Sequence, residues 1–193
     1  MKVLLFLAKG FETMEASAFI DVFGWAGTSY GNDVEVVTCG MQKTVVSTFG
    51  VPMSVDVLLK DICADDYDAL AVPGGFEEFG FYEEAYSDEV VDLIREFNSG
   101  HKMIASVCVG ALALAHSGIL KGRRATTYHL NDGQRQKQLA AFGAVVVNEP
   151  VVKTENVITS WCPQTAPEVA FVLLGELIGN DKMLIVKKAM GFE

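Results

Sequence analysis

Short apolar segments alternate along the chain with longer segments in which apolar residues recur every three or four positions. The first kind is typical of buried strands and the second of amphipathic helices. Strands are predicted at residues 3–7, 35–38, 44–46, 53–55, 69–72, 103–106, 125–127, 145–147 and 157–160. Helices are predicted at residues 13–25, 87–98, 109–116, 134–142, 166–178 and 182–190, with N-caps at Thr13, Ser87 and Thr165.

This alternation predicts the fold class. Fully apolar strands connected by amphipathic helices imply an α/β fold whose mainly parallel sheet is covered by helices on both faces. Because no linker or repeat interrupts the pattern, residues 1–193 are predicted to form one domain. Ligands of such sheets bind beyond the carboxyl ends of the strands, so residues that directly follow a strand are the candidates for a site.

Cys108 stands between a predicted strand and a predicted helix, with small residues two positions before and two after it. That spacing is the steric pattern of a nucleophile elbow, a sharp strand-to-helix turn. Backbone N–H groups and the positive end of a helix dipole would favour the thiolate there. The alternative is a buried structural cysteine, which is the commoner role of a single cysteine. The elbow spacing favours the reactive interpretation.

Glu15 lies in the first turn of the first predicted helix, in register with Phe19 and Val22. It is therefore expected to point to the apolar face, where burial would hold its proton more tightly. A neutral carboxyl group beside a thiolate could donate a hydrogen bond to sulfur and act as a general acid or base. The alternative is a solvent-facing glutamate that complements the helix dipole, which is the interpretation preferred for Glu12.

Gly74 and Gly75 directly follow a buried strand. Glycines there allow a backbone N–H to face a bound oxyanion, although an ordinary turn would also use two glycines. Combined with an elbow cysteine one crossover later, they predict an oxyanion site at Gly75 and Val109, with Gly74 at the rim.

His129 is the one histidine of three that the topology places near Cys108. His101 precedes its strand, and His116 lies two turns along the helix from the thiol. His129 is a candidate catalytic partner of Cys108, but neighbouring side chains at a strand end point in opposite directions, so Tyr128 could face the site instead.

Trp161, Cys162 and Pro163 follow the last predicted strand and are expected at the rim of the site. Cys162 is interpreted as a passive loop residue or, alternatively, as a second thiol that reacts with an oxidised Cys108. No residue pattern around Cys39 or Cys63 suggests a reactive thiol, so both are interpreted as passive.

Charge and composition exclude several classes of function. A net charge of −10 argues against nucleic acid or an anionic membrane as a partner, and no apolar stretch approaches the length of a membrane span. The four cysteines are far apart and include no CxxC pair, which favours a reducing cytoplasm and predicts neither a metal site nor a disulfide framework. The apolar residues Val45, Val46 and Phe49 lie in the irregular region 42–52 and predict a homodimer interface.

The order of these motifs resembles the ThiJ/PfpI superfamily, and most closely its DJ-one branch. The residues that carry the resemblance are Ala8, Lys9, Gly10, Glu12, Glu15, Pro73, Gly74, Gly75, Cys108, Thr126, Thr127, Thr159, Ser160, Pro163 and Thr165. The resemblance implies a flavodoxin-like three-layer α/β sandwich, a homodimer without cofactor, and an easily oxidised elbow cysteine hydrogen-bonded to Glu15.

Three departures from the family pattern bear on function. Protease-like members carry a histidine directly after the nucleophile, whereas this chain has Val109, so peptidase activity is not expected. In the DJ-one branch a histidine follows the paired threonines, but here Tyr128 holds that place and His129 comes one residue later. Trp161 also replaces an arginine.

Two functions follow from the resemblance and the site residues. The first is a cofactor-free enzyme acting on small dicarbonyls or their protein adducts, of the glyoxalase or deglycase type. The second is a non-enzymatic oxidative-stress sensor or chaperone with an oxidisable Cys108.

Overall fold

The computed structural model describes residues 1–192; Glu193, the last residue of the predicted domain, lies outside the described residues. The strands are β1 (Lys2–Phe6), β2 (Glu35–Gly40), β3 (Thr44–Val46), β4 (Pro52–Ser54), β5 (Val57–Leu58), β6 (Ala69–Val72), β7 (Met103–Ser106), β8 (Arg124–Ala125), β9 (Val145–Val146), β10 (Val151–Thr154) and β11 (Val157–Ser160). The α-helices are α1 (Thr13–Gly24), α2 (Phe81–Ala85), α3 (Asp88–Ser99), α4 (Gly110–His116), α5 (Gln134–Ala141), α6 (Ala166–Ile178) and α7 (Asn180–Ala189).

A seven-stranded sheet runs through the molecule in the order β10-β11-β7-β6-β1-β2-β5. All neighbours in it are parallel except β10 and β11. Every residue of β6 and β11 is buried, as expected of strands covered on both faces. The mainly parallel α/β sheet predicted from the alternation is confirmed.

The strand order reverses between β1 and β6, and this reversal positions the site. The chain moves from β1 to β2 in one direction across the sheet, and from β6 to β7 in the other. Because such crossovers are right-handed, the helices that follow β1 and β6 lie on opposite faces. A crevice opens beyond the carboxyl ends of the strands at this reversal, as in other doubly wound sheets.

Several elements differ from those predicted. Strands β5 and β10 and helix α2 have no counterpart among the predicted elements, and β8 with β9 forms a separate pair. Ser87 caps α3 by accepting a hydrogen bond from the Val90 N–H, as predicted. Thr13 is already helical, and the Thr165 hydroxyl bonds to the loop before α6, so neither of these side chains caps its helix.

Helix α7 begins two residues before its predicted start. Among residues 1–192, no helix combines the length and the apolarity needed to cross a membrane.

Candidate active site

The backbone of Cys108 forms the sharp turn between β7 and α4. Its φ angle is 54°, in the left-handed region that costs a non-glycine residue of order 1 kcal/mol or more. The turn is fixed from two sides: the Cys108 N–H donates to the Ser160 carbonyl at 3.1 Å, and the Cys108 carbonyl accepts from the Thr127 hydroxyl at 2.8 Å. The strand-turn-helix geometry of a nucleophile elbow is therefore present.

Glycines allow this turn to approach its neighbours closely. A Cβ atom on Gly110 would overlap the Val72 carbonyl of β6. A Cβ atom on Gly74 would lie 2.9 Å from the Val109 nitrogen, 3.0 Å from the Glu15 carboxylate and 3.1 Å from the Cys108 Cβ. Gly74 therefore lies behind the site, where the absence of a side chain lets Glu15 and Cys108 meet.

Glu15 is fully buried in the first turn of α1, as its helical register predicts. Its Oε2 accepts a hydrogen bond from the Gly74 N–H at 2.6 Å, while Oε1 has no nitrogen or oxygen partner. The carboxyl group also lies close enough to the Cys108 thiol for the thiol to lower the pKa of Glu15. Since Oε2 accepts from the backbone, Oε1 is the oxygen that can carry the proton.

Burial raises the pKa of Glu15 to about 8, although the Gly74 N–H lowers it and the nearby Glu12 charge raises it further. Glu15 is therefore mostly neutral at pH 7.

Burial also raises the pKa of Cys108 well above that of an ordinary thiol, and a charge on Glu15 would raise it further. The sequence-based expectation of a favoured thiolate is thus wrong in direction. The Val109 N–H does lower the Cys108 pKa, but desolvation outweighs it because the side chain is only 9% exposed. The two buried groups compete for one negative charge.

A cavity of about 320 Å³ opens over this pair. Of the predicted site residues, it brings together Cys108, Glu15, Gly75, Val109, Tyr128 and Pro163. The remaining lining residues are Glu12, Phe76, Glu77, Glu78, Asn131 and Arg135. Residues that follow β1, β6 and β7 thus converge at the reversal of strand order, as the topology predicts.

Comparison with known proteins identifies the family of this chain. The DJ-1/PfpI family model matches residues 1–176. The chain belongs to the DJ-1/PfpI family. The family predicted from the sequence motifs is therefore confirmed.

Relatives match this DJ-1/PfpI chain over nearly its whole length. Protein dj-1beta of Drosophila melanogaster is 32% identical over 189 residues, which cover 97% of this chain and 95% of that protein. The Parkinson disease protein 7 homolog of Danio rerio is 30% identical over 187 residues, which cover 96% of this chain and 94% of that protein. The crystal structure of Drosophila melanogaster DJ-1beta superimposes with a TM-score of 0.87 at 31% identity, covering 100% of this chain and 98% of that one.

His129 does not pair with Cys108 in this DJ-1/PfpI protein, which corrects the predicted Cys–His pair. Its ring lies against Trp161, with the ring centroids 4.0 Å apart, and its Nδ1 is 3.5 Å from the Cys162 Sγ. Tyr128 takes the position on the cavity wall. The choice between Tyr128 and His129, which the sequence leaves open, is thus resolved by side-chain direction.

Two charged residues of the cavity are not predicted there from the sequence. Glu12 is buried and lines the cavity rather than facing solvent, and burial raises its pKa. Arg135 projects from α5, where it forms an ion pair with Glu77 at 2.9 Å and lies over the Tyr82 ring. The sequence places Arg135 on a polar helix, and no local signal separates it from a solvent-exposed arginine.

The other cysteines and histidines lie away from the cavity. Cys39 is buried in β2, and burial raises its pKa to about 12. Cys63 is exposed, and His116 stacks on Tyr86. Within the described part of the chain, no three histidine, cysteine or acidic residues are grouped as a metal ion requires.

Proposed function

We propose that this DJ-1/PfpI protein is a cofactor-free, cysteine-dependent enzyme that acts on small dicarbonyls or their protein adducts, in reactions of the glyoxalase or deglycase type. The observation that carries the proposal is the buried Glu15 carboxyl group, which lines the same cavity as Cys108 and is coupled to it electrostatically. A proton-transfer group in direct contact with a nucleophile is the arrangement that carbonyl addition requires.

The first chemical step follows from this contact. The Cys108 sulfur attacks the aldehyde carbon, an S–C bond forms, and the electron pair of the carbonyl bond moves to the oxygen. The N–H groups of Gly75 and Val109 stabilise that oxygen. Glu15 accepts the thiol proton and returns it to the oxygen, which yields a neutral hemithioacetal. A pKa near 8 suits Glu15 to both transfers because it is close to the working pH.

The charges around the cavity affect which substrates it favours. Glu12, Glu77 and Glu78 line it, and its one lining arginine, Arg135, is already paired with Glu77. This acidic lining favours neutral dicarbonyls, or adducts on cationic side chains, over anionic substrates.

The test is consumption of methylglyoxal by the purified protein. We expect turnover by the wild type, none by Cys108→Ser, and a loss of about 10²- to 10⁴-fold in kcat for Glu15→Gln, which cannot accept a proton. Cys63→Ser, at an exposed thiol, is the matched control and should match the wild type. Equal rates for the wild type and Cys108→Ser would refute the enzyme proposal.

A non-enzymatic oxidative-stress sensor or chaperone is the second candidate function. It is favoured by the position of His129, which lies on Trp161 and leaves Cys108 without an imidazole base. In this case Cys108 would be oxidised to a sulfinate held by Glu15. Peroxide oxidation followed by intact mass, in a protein that does not consume methylglyoxal, would support it.

We propose a cytoplasmic location, because all four cysteines are free thiols, which suits a reducing compartment.

A further inference from the structure

Cys162 lies at the end of the strand next to the elbow. Strands β7 and β11 are parallel neighbours, and the Cys108 N–H donates to the Ser160 carbonyl at 3.1 Å. Cys108 lies two residues beyond the end of β7 and Cys162 two residues beyond the end of β11, so the two cysteines follow the carboxyl ends of adjacent strands, which are about 4.8 Å apart where they pair. A disulfide needs the Cα atoms within about 7 Å, a limit larger than the spacing of adjacent strands.

His129 provides Cys162 with a proton acceptor. Its Nδ1 lies 3.5 Å from the Cys162 Sγ, and stacking on Trp161 fixes the plane of the ring. In the tautomer with the proton on Nε2, Nδ1 accepts the thiol proton. Cys162 therefore has the Cys–His pairing that the sequence predicts for Cys108.

Electrostatics link the two thiols. Burial raises the pKa of both thiols; a charge on Cys162 would raise the pKa of Cys108 further, and a charge on Glu15 would raise the pKa of Cys162 further. The phenol of Tyr128 also responds to both thiols. The phenol of Tyr82 responds to Cys108 as well, and Glu12 acts through Glu15, whose pKa its charge raises.

The loop that carries Cys162 is held in place. The Thr165 hydroxyl donates to the Cys162 carbonyl at 2.7 Å and lies 2.8 Å from the Ser160 hydroxyl. Pro163 further restricts the backbone. Approach of the two sulfur atoms therefore depends on rotation of the side chains rather than on movement of the loop.

We propose that Cys162 is the resolving thiol for Cys108, with His129 as its proton acceptor, so that a peroxide converts the two cysteines to an intramolecular disulfide. This redox activity goes beyond the proposed carbonyl chemistry and uses a thiol that the carbonyl chemistry does not need.

The reaction balances in two steps. Cys108 attacks hydrogen peroxide: an S–O bond forms, the O–O bond breaks, and one water leaves, which gives a sulfenic acid. Cys162 then transfers its proton to His129 and attacks the Cys108 sulfur. An S–S bond forms, the S–O bond breaks, and the departing hydroxide takes a proton to become a second water. Two thiols are oxidised and one peroxide is reduced.

The experiment is treatment with two equivalents of hydrogen peroxide, enough to carry one thiol to a sulfinate, followed by alkylation of the remaining thiols and intact mass with peptide mapping under non-reducing conditions. We expect the wild type to lose two hydrogen atoms and to yield a linked peptide containing Cys108 and Cys162. In Cys162→Ser, Cys108 should instead gain two oxygens. Cys63→Ser is the control and should form the disulfide like the wild type.

A His129→Gln variant tests whether His129 acts in the second step, closure of the disulfide, and not in the first. It should form the Cys108 sulfenic acid at the wild-type rate, measured by dimedone trapping, but close the disulfide at least several-fold more slowly. The proposal is overturned if Cys108 reaches the sulfinate equally fast in the wild type and in Cys162→Ser, without a linked peptide. A disulfide between two chains, seen as a doubled mass, would overturn it as well.

Discussion

At the scale of single residues, the chemistry of the cavity depends on where one proton lies. Glu15 and Cys108 are both buried, and burial raises the pKa of each; a charge on Glu15 raises the pKa of Cys108 further, whereas contact with the Cys108 thiol lowers the pKa of Glu15. With Glu15 neutral, its hydrogen bond can stabilise sulfur as negative charge develops. With Glu15 ionised, it can accept the thiol proton. A pKa near 8 makes both forms available close to neutral pH.

Glu15→Gln should stabilise the protein at neutral and alkaline pH. Burial raises the pKa of Glu15 from 4.5 to about 8, so the folded state binds its proton more tightly than the unfolded state does. The wild type therefore loses stability relative to the variant as pH rises, by about 1.4 kcal/mol per unit within the window from 4.5 to 8, and the difference levels off above it.

Urea unfolding of both proteins at several pH values measures this difference. Glu96→Gln, on the exposed face of α3, is the control, because its side chain stays in water in both states. A difference between wild type and Glu15→Gln that does not change with pH would show that the carboxyl group ionises freely in the folded state.

Individual residues also show which parts of the site can be predicted from the sequence. Glu15 and Cys108 are predictable because helical register and elbow spacing constrain where their side chains point. The assignment of His129 is wrong because the direction of a side chain after a strand depends on its packing partner, here Trp161. The burial of Glu12 likewise depends on a cavity wall that distant segments build.

At the scale of elements, the elbow depends on how closely α4 approaches β6. The parallel strands and long helices are predictable because their patterns are apolar and periodic. Strands β5 and β10 lie at the two edges of the sheet and are partly exposed, so no continuous apolar run marks them. Helix α2 has five residues, too few for a periodic signal.

Gly110→Ala should destabilise the fold by about 1–3 kcal/mol, the usual cost of an added methyl group in a packed interior. The new Cβ would overlap the Val72 carbonyl, and a backbone atom cannot rotate away.

Gly24→Ala is the matched control. Gly24 is helical, and no atom lies within 4 Å of the place that a Cβ would occupy. Alanine should therefore stabilise α1 by about 0.5–1 kcal/mol. Urea midpoints measure both, and equal midpoints for the two variants would show that the elbow can shift.

At the scale of the whole molecule, an aromatic surface adjoins the mouth of the cavity. It consists of Phe49, Phe76 and Phe79, whose neighbouring ring centroids are 6.1 and 6.5 Å apart. Phe49 is 71% exposed, and Val46 is also exposed. Val45, predicted to share this surface, is buried instead. Since Phe76 also lines the cavity, whatever covers this surface lies beside the site.

We propose that a second copy of the chain covers this aromatic surface, and Phe49→Ser tests it. Sedimentation equilibrium at micromolar concentration should give about twice the chain mass of 20.9 kDa for the wild type and the mass of one chain for the variant. Because each chain carries a net charge of −10, repulsion opposes association, so added salt should strengthen the wild-type dimer.

Ile185→Ser is the matched control, because Ile185 is an exposed apolar residue on α7, away from the aromatic surface. It should leave the dimer intact. A wild type that sediments as one chain at all salt concentrations would exclude self-association. Loss of the dimer in Ile185→Ser but not in Phe49→Ser would instead place the interface on α7, and the mouth of the cavity would then stay open in the dimer.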